Sequence, residues 1–173
     1  MSLNLLQLKD LVVKPVLKDL GMYSIAAEQL VLGTICQESG GIHLKQLGGG
    51  PALGICQMEP NTHKDIWINY LKYQRDIVKD LAGYISAASE DVYAVTDYPD
   101  HDELISNLKY SVAMCRVHFW RKPNALPKAN DINGLASYWK QFYNTVKGAG
   151  KVEEFINNFP FELYGLKKQE NVK

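Results

Sequence analysis

Apolar residues spaced three and four apart constrain this chain more than any other feature. Ile105, Leu108, Val112, Cys115 and Phe119 step along one face of a helix that Pro123 must stop. Trp67, Leu71, Val78, Leu81 and Ile85, with Gln74 as a polar member, draw the same pattern between Asp65 and Ile85. Both segments are expected to be amphipathic helices. Ser24 is placed to cap a helix running through Val31, Leu32 and Ile35 to Glu38, where Gly40 and Gly41 end it. Asp131 is placed to cap another through Leu135, Tyr138, Trp139 and Phe142. Pro15 splits or kinks the first helical segment and Gly21 closes it. Strand-like alternation is weak and confined to "DVYAVTDY", residues 91–98. The expected fold is all-α or mostly α, with a glycine loop at 48–54 and a polar, proline-bearing connection at 121–131.

One domain, 1–173, is the default for this length, and an apolar fraction of 46% with 22% charged residues is ordinary for a globular chain. Lys plus Arg balance Asp plus Glu at 19 each, so no net field gathers nucleic acid or an anionic membrane. No apolar run approaches the roughly 20 residues of a membrane span. The N-terminal stretch carries Lys9, Asp10, Lys14, Lys18 and Asp19 among its leucines and does not read as a secretory signal, so the expected site of synthesis is the cytoplasm. Cys36, Cys56 and Cys115 are odd in number and lack a CxxC pair, which suits reduced, partly buried thiols. His43, His63, His101 and His118 have no compact ligand spacing, so no metal site is expected. The last residues, 167–173, read as a frayed tail.

Chemistry concentrates in "TICQESGGIHLKQLGGGPALGICQMEP", residues 34–60. Glu38 falls at the expected end of a helix, where unpaired carbonyls disfavour a negative charge. If it faces a cleft with apolar walls, desolvation acts in the same direction, and a carboxylic acid that stays protonated near neutrality can donate to a leaving oxygen. That is what cleavage of a glycosidic bond requires. Taken alone, a glutamate near a helix end is an ordinary surface residue. No Lys-Ser or Lys-Thr follows the glycines, so a phosphate loop is not expected.

In these residues the chain resembles the lysozyme-like superfamily, specifically the lytic transglycosylases and goose-type lysozymes. "QESGG" is similar to the family's glutamate-serine stretch, which implies Glu38 as the acid and Ser39 as its neighbour in the site. "ALGICQMEP" resembles the Gly-Leu-Met-Gln-Ile-Met-Pro segment at Gly54, Gln57 and Pro60. "YWKQFYNTVKGAGKVEEF" resembles the family's helix ending in Tyr-Asn, so Tyr143 and Asn144 inherit substrate-side positions. The motif-bearing part spans 24–160. The resemblance implies a single lysozyme-like domain whose glycine-rich loop lines a groove, and cleavage of the MurNAc-β-1,4-GlcNAc bond of peptidoglycan. Glu38 would serve as acid and then base, without metal or organic cofactor, and Ser39, Gln57, Tyr143 and Asn144 would bind glycan.

Two departures from the pattern bear on the reaction. Glu59 stands where transglycosylases carry methionine and goose-type lysozymes an aspartate, so it can be a second catalytic carboxylate that activates water, or simply an acidic residue at the start of the next helix. Met114 stands where the family often has a tyrosine, a role open to Tyr110, Tyr138 or Tyr143. Trp67 and Trp139 sit in helical stripes and read as packing residues. "GGGPALGICQMEPNTHKDIW" resembles segments of phage-encoded transglycosylase-like proteins, which implies a lysis enzyme or a virion component with peptidoglycan strands, and possible virion proteins, as partners. A non-catalytic glycan-binding or structural virion protein is the alternative from another class.

Overall fold

The computed structural model describes residues 3–144 and 148–168. Its elements are α1 (Leu5–Leu8), α2 (Lys14–Asp19), α3 (Ile25–Glu38), α4 (Pro60–Asn69), α5 (Arg75–Ala82), α6 (Ala87–Thr96), α7 (Glu103–Ser106), α8 (Leu108–Trp120), α9 (Ile132–Trp139) and α10 (Val152–Asn158). Short 3-10 turns occupy Leu47–Gly49, Leu71–Tyr73 and Phe161–Tyr164, and π turns Lys9–Val13 and Lys140–Asn144. The described residues are mostly helical and contain no strand, only isolated bridges. None of their helices is long and apolar enough to cross a membrane. Of the expected tail, Lys167 and Lys168 are exposed and non-helical, and 169–173 lie outside the described residues.

Two helices form the centre. In α3 every residue from Ala26 to Cys36 is buried, and in α8 every residue from Tyr110 to Phe119. A helix buried on all sides has no polar face, so α8 is not the one-striped helix that its spacing suggests. Nor does it begin at Ile105: α7 ends at Ser106, and Asn107 caps α8 by accepting from the Tyr110 N–H. The one cationic side chain in this buried run, Arg116, donates Nε–H to the Met22 carbonyl at 3.2 Å and stacks under Trp120. Burial pulls its guanidinium down to about 10. Around this pair pack α2, α4, α9 and α10, and the buried apolar residues from Leu8 to Phe159 form one cluster.

The local signals locate several boundaries. Ser24 Oγ accepts from the Ala27 N–H at 3.0 Å to start α3, and Asp131 accepts from Gly134 N–H at 2.9 Å to start α9. Pro15, which has no N–H to donate, sits in the first turn of α2 immediately after the π turn at Lys9–Val13. Two expectations are corrected. The 65–85 segment is broken, because Tyr70 (φ −128°) and Gln74 (φ −121°, ψ 67°) leave helical geometry between α4 and α5. Residues 91–98 are not strand-like: α6 runs to Thr96, capped by Ser86, and Ser86 is itself gripped by Glu103 through its N–H and hydroxyl.

Close approach of α10 to α3 depends on Gly33. A Cβ there would run into the Phe155 ring, so the missing side chain lets Phe155 sit against α3 and pack on Trp139, with ring centroids 5.4 Å apart. That packing matters at the site.

Candidate functional site

Glu38 is the last residue of α3. The chain then turns through Gly40 and Gly41, whose φ values of +62° and +68° a side chain would strain. Ser39, between them and the helix, is buried. Its hydroxyl donates to the Ile55 carbonyl at 2.7 Å and accepts from the Gly41 N–H at 3.1 Å. Ser39 therefore ties the helix end to the following loop and does not line the cavity beside Glu38, which corrects its expected place against the glycan.

The loop folds back on itself through antiparallel bridges from Leu53 to Lys45 and to Met58. Gly54 has φ +73° and lies where a Cβ would collide with the Leu104 carbonyl and the Ser111 hydroxyl, so the loop seats directly against the start of α8. Gln57 adopts φ +49°, uncommon for a residue with a side chain. Its Nε2 donates to the Gly54 carbonyl at 2.8 Å and more weakly to the His43 carbonyl at 3.4 Å, which commits the amide nitrogen to the loop and leaves the amide oxygen as an acceptor.

Beyond α9 the chain winds into the π turn Lys140–Asn144, a widened turn of the kind that re-aims side chains at sites. It presents Tyr143 and Asn144. The Tyr143 hydroxyl donates to the Cys56 carbonyl at 2.7 Å, and its ring stacks on Phe119 and meets the edge of His118. Burial, with the neighbouring thiols and Glu38 adding to it, raises the phenol well above its ordinary value, so it remains a neutral hydroxyl. Asn144 Oδ1 accepts from Lys140 Nζ at 2.8 Å, and the same ammonium donates to the Gly148 carbonyl at 2.7 Å.

These pieces surround one cavity of about 570 Å³, whose walls include Glu38, Gln57, Glu59, Tyr143 and Asn144 together with Gln46, Thr62 and His118. The structure thus brings together every expected site residue except Ser39. Of the loop at 48–54, Ala52 is a lining residue and Gly48, Gly49 and Gly50 are not; Gln46 lines the cavity from just before the loop. Of the tyrosines that could stand in for Met114, only Tyr143 lines this cavity: the Tyr110 hydroxyl is held by Trp67 and His63, and the Tyr138 hydroxyl by the Asn124 carbonyl.

Desolvation by burial pushes the Glu38 carboxyl up to about 7, against a hydrogen bond from Trp139 Nε1–H to Oε1 at 2.9 Å that draws it down. The carboxyl is therefore protonated in a large fraction of molecules at neutral pH. Glu59 is exposed and opens α4 at the N-cap position with φ −72° and ψ 143°, but makes no side-chain capping hydrogen bond. A role in capping is left to its charge near the helix N-terminus. His118 Nε2–H donates to the Phe142 carbonyl at 2.9 Å, and its Nδ1 accepts from Arg121 at 3.3 Å. Burial first, then the charges of Arg121 and Lys122, lower it to about 3, so it is neutral. Among the described residues no cluster of three or more His, Cys, Asp or Glu side chains could hold a metal ion.

No family model, curated protein or solved structure matches this chain. What it does must therefore be argued from the site itself. Sequence reasoning missed Trp139 and His118 as site residues. Trp139 carried a signal, since it precedes Tyr143 by four residues and so shares its helix face. His118 carried none that separates it from its buried neighbours in α8.

Proposed function

We propose that this protein is a peptidoglycan-cleaving muramidase of lysozyme-like type that cuts the MurNAc-β-1,4-GlcNAc bond, by lytic transglycosylation. The observation that supports it best is a carboxyl, Glu38, largely withdrawn from water at the wall of a cavity that also carries Gln57, Tyr143 and Asn144, where desolvation pushes it up to about 7. In this reading Glu38 protonates the glycosidic oxygen as the bond to C1 breaks. The resulting carboxylate then removes the proton of the sugar's C6 hydroxyl as that oxygen closes on C1, which leaves a 1,6-anhydro end, consumes no water and returns Glu38 to its acid form. The Gln57 amide oxygen accepts from a sugar N–H or hydroxyl, and the Asn144 amide nitrogen, whose oxygen is taken by Lys140, donates to a sugar oxygen.

Glu59 in the lining of the same cavity favours a second reading, hydrolysis with a water activated across the bond, for which carboxyl groups about 6.5–9.5 Å apart suit inversion. Mass spectrometry of fragments released from purified cell wall separates the two. Anhydro ends mean transglycosylation and reducing ends hydrolysis, and a wild-type protein that releases neither leaves a glycan-binding or structural role. As a wall-degrading protein it would act from a phage, either in lysis or as part of the virion.

A further inference from the structure

We infer that Trp139 is a positioning residue for the acid: its indole N–H selects which oxygen of Glu38 carries the proton and supports that carboxyl after the proton has left. This rests on the proposed role of Glu38. An indole nitrogen can only donate, and here it donates to Oε1 at 2.9 Å. In a neutral carboxylic acid the carbonyl oxygen is the better acceptor, so Oε1 takes the carbonyl role and the hydrogen resides on Oε2. Among the described residues Glu38 makes no other side-chain hydrogen bond.

The indole cannot swing away to leave the choice open. Trp139 is fully buried at 0% exposure, its ring lies against Phe155, and Phe155 is wedged into the space left by Gly33 on the same helix that ends in Glu38. The donor on α9 is thus held, through Phe155 of α10, against the helix that carries the acid. When Oε2 gives its proton to the leaving oxygen, charge spreads over both carboxyl oxygens and the bond from Trp139 becomes charge-assisted and stronger. The same hydrogen bond weakens again as Oε2 regains a proton from the sugar hydroxyl. A group fixed before reaction and aimed where charge develops contributes without reorganising.

The pairing has a spectroscopic signature that a merely space-filling tryptophan would lack. In the wild-type protein the Trp139 indole N–H resonance should shift with pH, with a midpoint at about 7 that coincides with the Glu38 side-chain carboxyl carbon, and should be flat across the same range in Glu38→Gln. In Trp139→Phe, which keeps an aromatic ring against Phe155, the Glu38 midpoint should move up by about one pH unit. The basic limb of the rate profile should move with it, and kcat should fall about tenfold with KM within twofold. An indole resonance that ignores the Glu38 titration overturns the inference, and so does a Trp139→Phe protein with an unmoved midpoint. If that variant does not fold, the wild-type indole titration decides alone. Neither titration needs a glycan, so coincident midpoints in a protein that releases no wall fragments would sink the muramidase reading and leave the Trp139 pairing standing.

Discussion

Two buried tryptophans each end a polar cluster with an N–H, and the clusters differ in what they leave over. Trp67 Nε1–H donates to the Tyr110 hydroxyl at 2.9 Å. Because that oxygen accepts, its own hydrogen is assigned to His63 Nε2 at 2.6 Å, and His63 Nδ1–H then reaches His101 Nδ1 at 2.8 Å. Each member spends its hydrogen on the next, and the run ends at His101, whose Nδ1 accepts and whose own hydrogen sits on Nε2, outside the cluster. Burial first, then His101, lowers His63 to about 3, so it stays neutral. In the second cluster Trp139 meets a carboxyl instead, and burial again favours the neutral form. That form holds a proton not given to a protein partner among the described residues, at the wall of a cavity. Burial perturbs proton affinity in both places, but chemistry becomes possible only where the perturbed group has a free position facing open space.

The strongest way to break this comparison is to remove the proton from the second cluster. Glu38→Gln keeps an oxygen for Trp139 but has no acid, and fragment release from purified wall should fall by about 10²–10⁴-fold. Retention of full activity would show the two clusters to be equivalent supports. The same variant reports on stability. The folded protein holds the Glu38 proton up to about 7, whereas the unfolded chain loses it near 4.5. Its stabilising contribution is therefore complete below the lower value and is lost as pH rises through the higher one, a span of about 3 kcal/mol. Thermal unfolding should find Glu38→Gln close to wild type at pH 4 and more stable than wild type at pH 8.

The first cluster should answer in the opposite way. His63→Phe strands the Tyr110 hydroxyl and His101 Nδ1, and should cost about 1–3 kcal/mol in denaturant unfolding while fragment release per folded molecule stays within twofold. Equal losses of stability and activity would mean that the two clusters are not separable. The smallest effect is expected at Glu59, since it is exposed and forms no hydrogen bond to the helix it begins. In a transglycosylase Glu59→Gln should change the rate by less than about threefold and leave anhydro ends. A loss as large as that of Glu38→Gln, with reducing ends in wild type, would transfer the account to hydrolysis.

How much of this was legible beforehand follows from the range of the forces involved. Ser24 and Asp131 marked helix starts because a cap joins residues three apart, and Gly40 and Gly41 marked the end of α3 because a left-handed turn is a local demand. The break between α4 and α5 was not legible, since Trp67, Leu71 and Leu81 are buried in the broken arrangement just as they would be in a continuous helix. Nor was α6: the grip of Glu103 on its cap joins residues 17 apart. Glu38, Gln57, Tyr143 and Asn144 line one cavity, whereas Ser39 lies outside it because its hydroxyl is consumed by the Ile55 carbonyl across the turn, a contact between residues 16 apart that no local pattern shows. Trp139 is a packing residue, as its place in a helical stripe implies. Its second role, through one N–H, depends on where a helix from 101 residues away sets its last side chain.

The proposed reaction needs Glu38 to hold its proton in about half of the molecules at neutral pH, and a carbon-detected NMR titration of its side-chain carboxyl tests that directly. A midpoint of about 7 is predicted. A midpoint near 4.5, the value of an ordinary glutamate, would contradict it and remove the acid on which the proposed reaction depends.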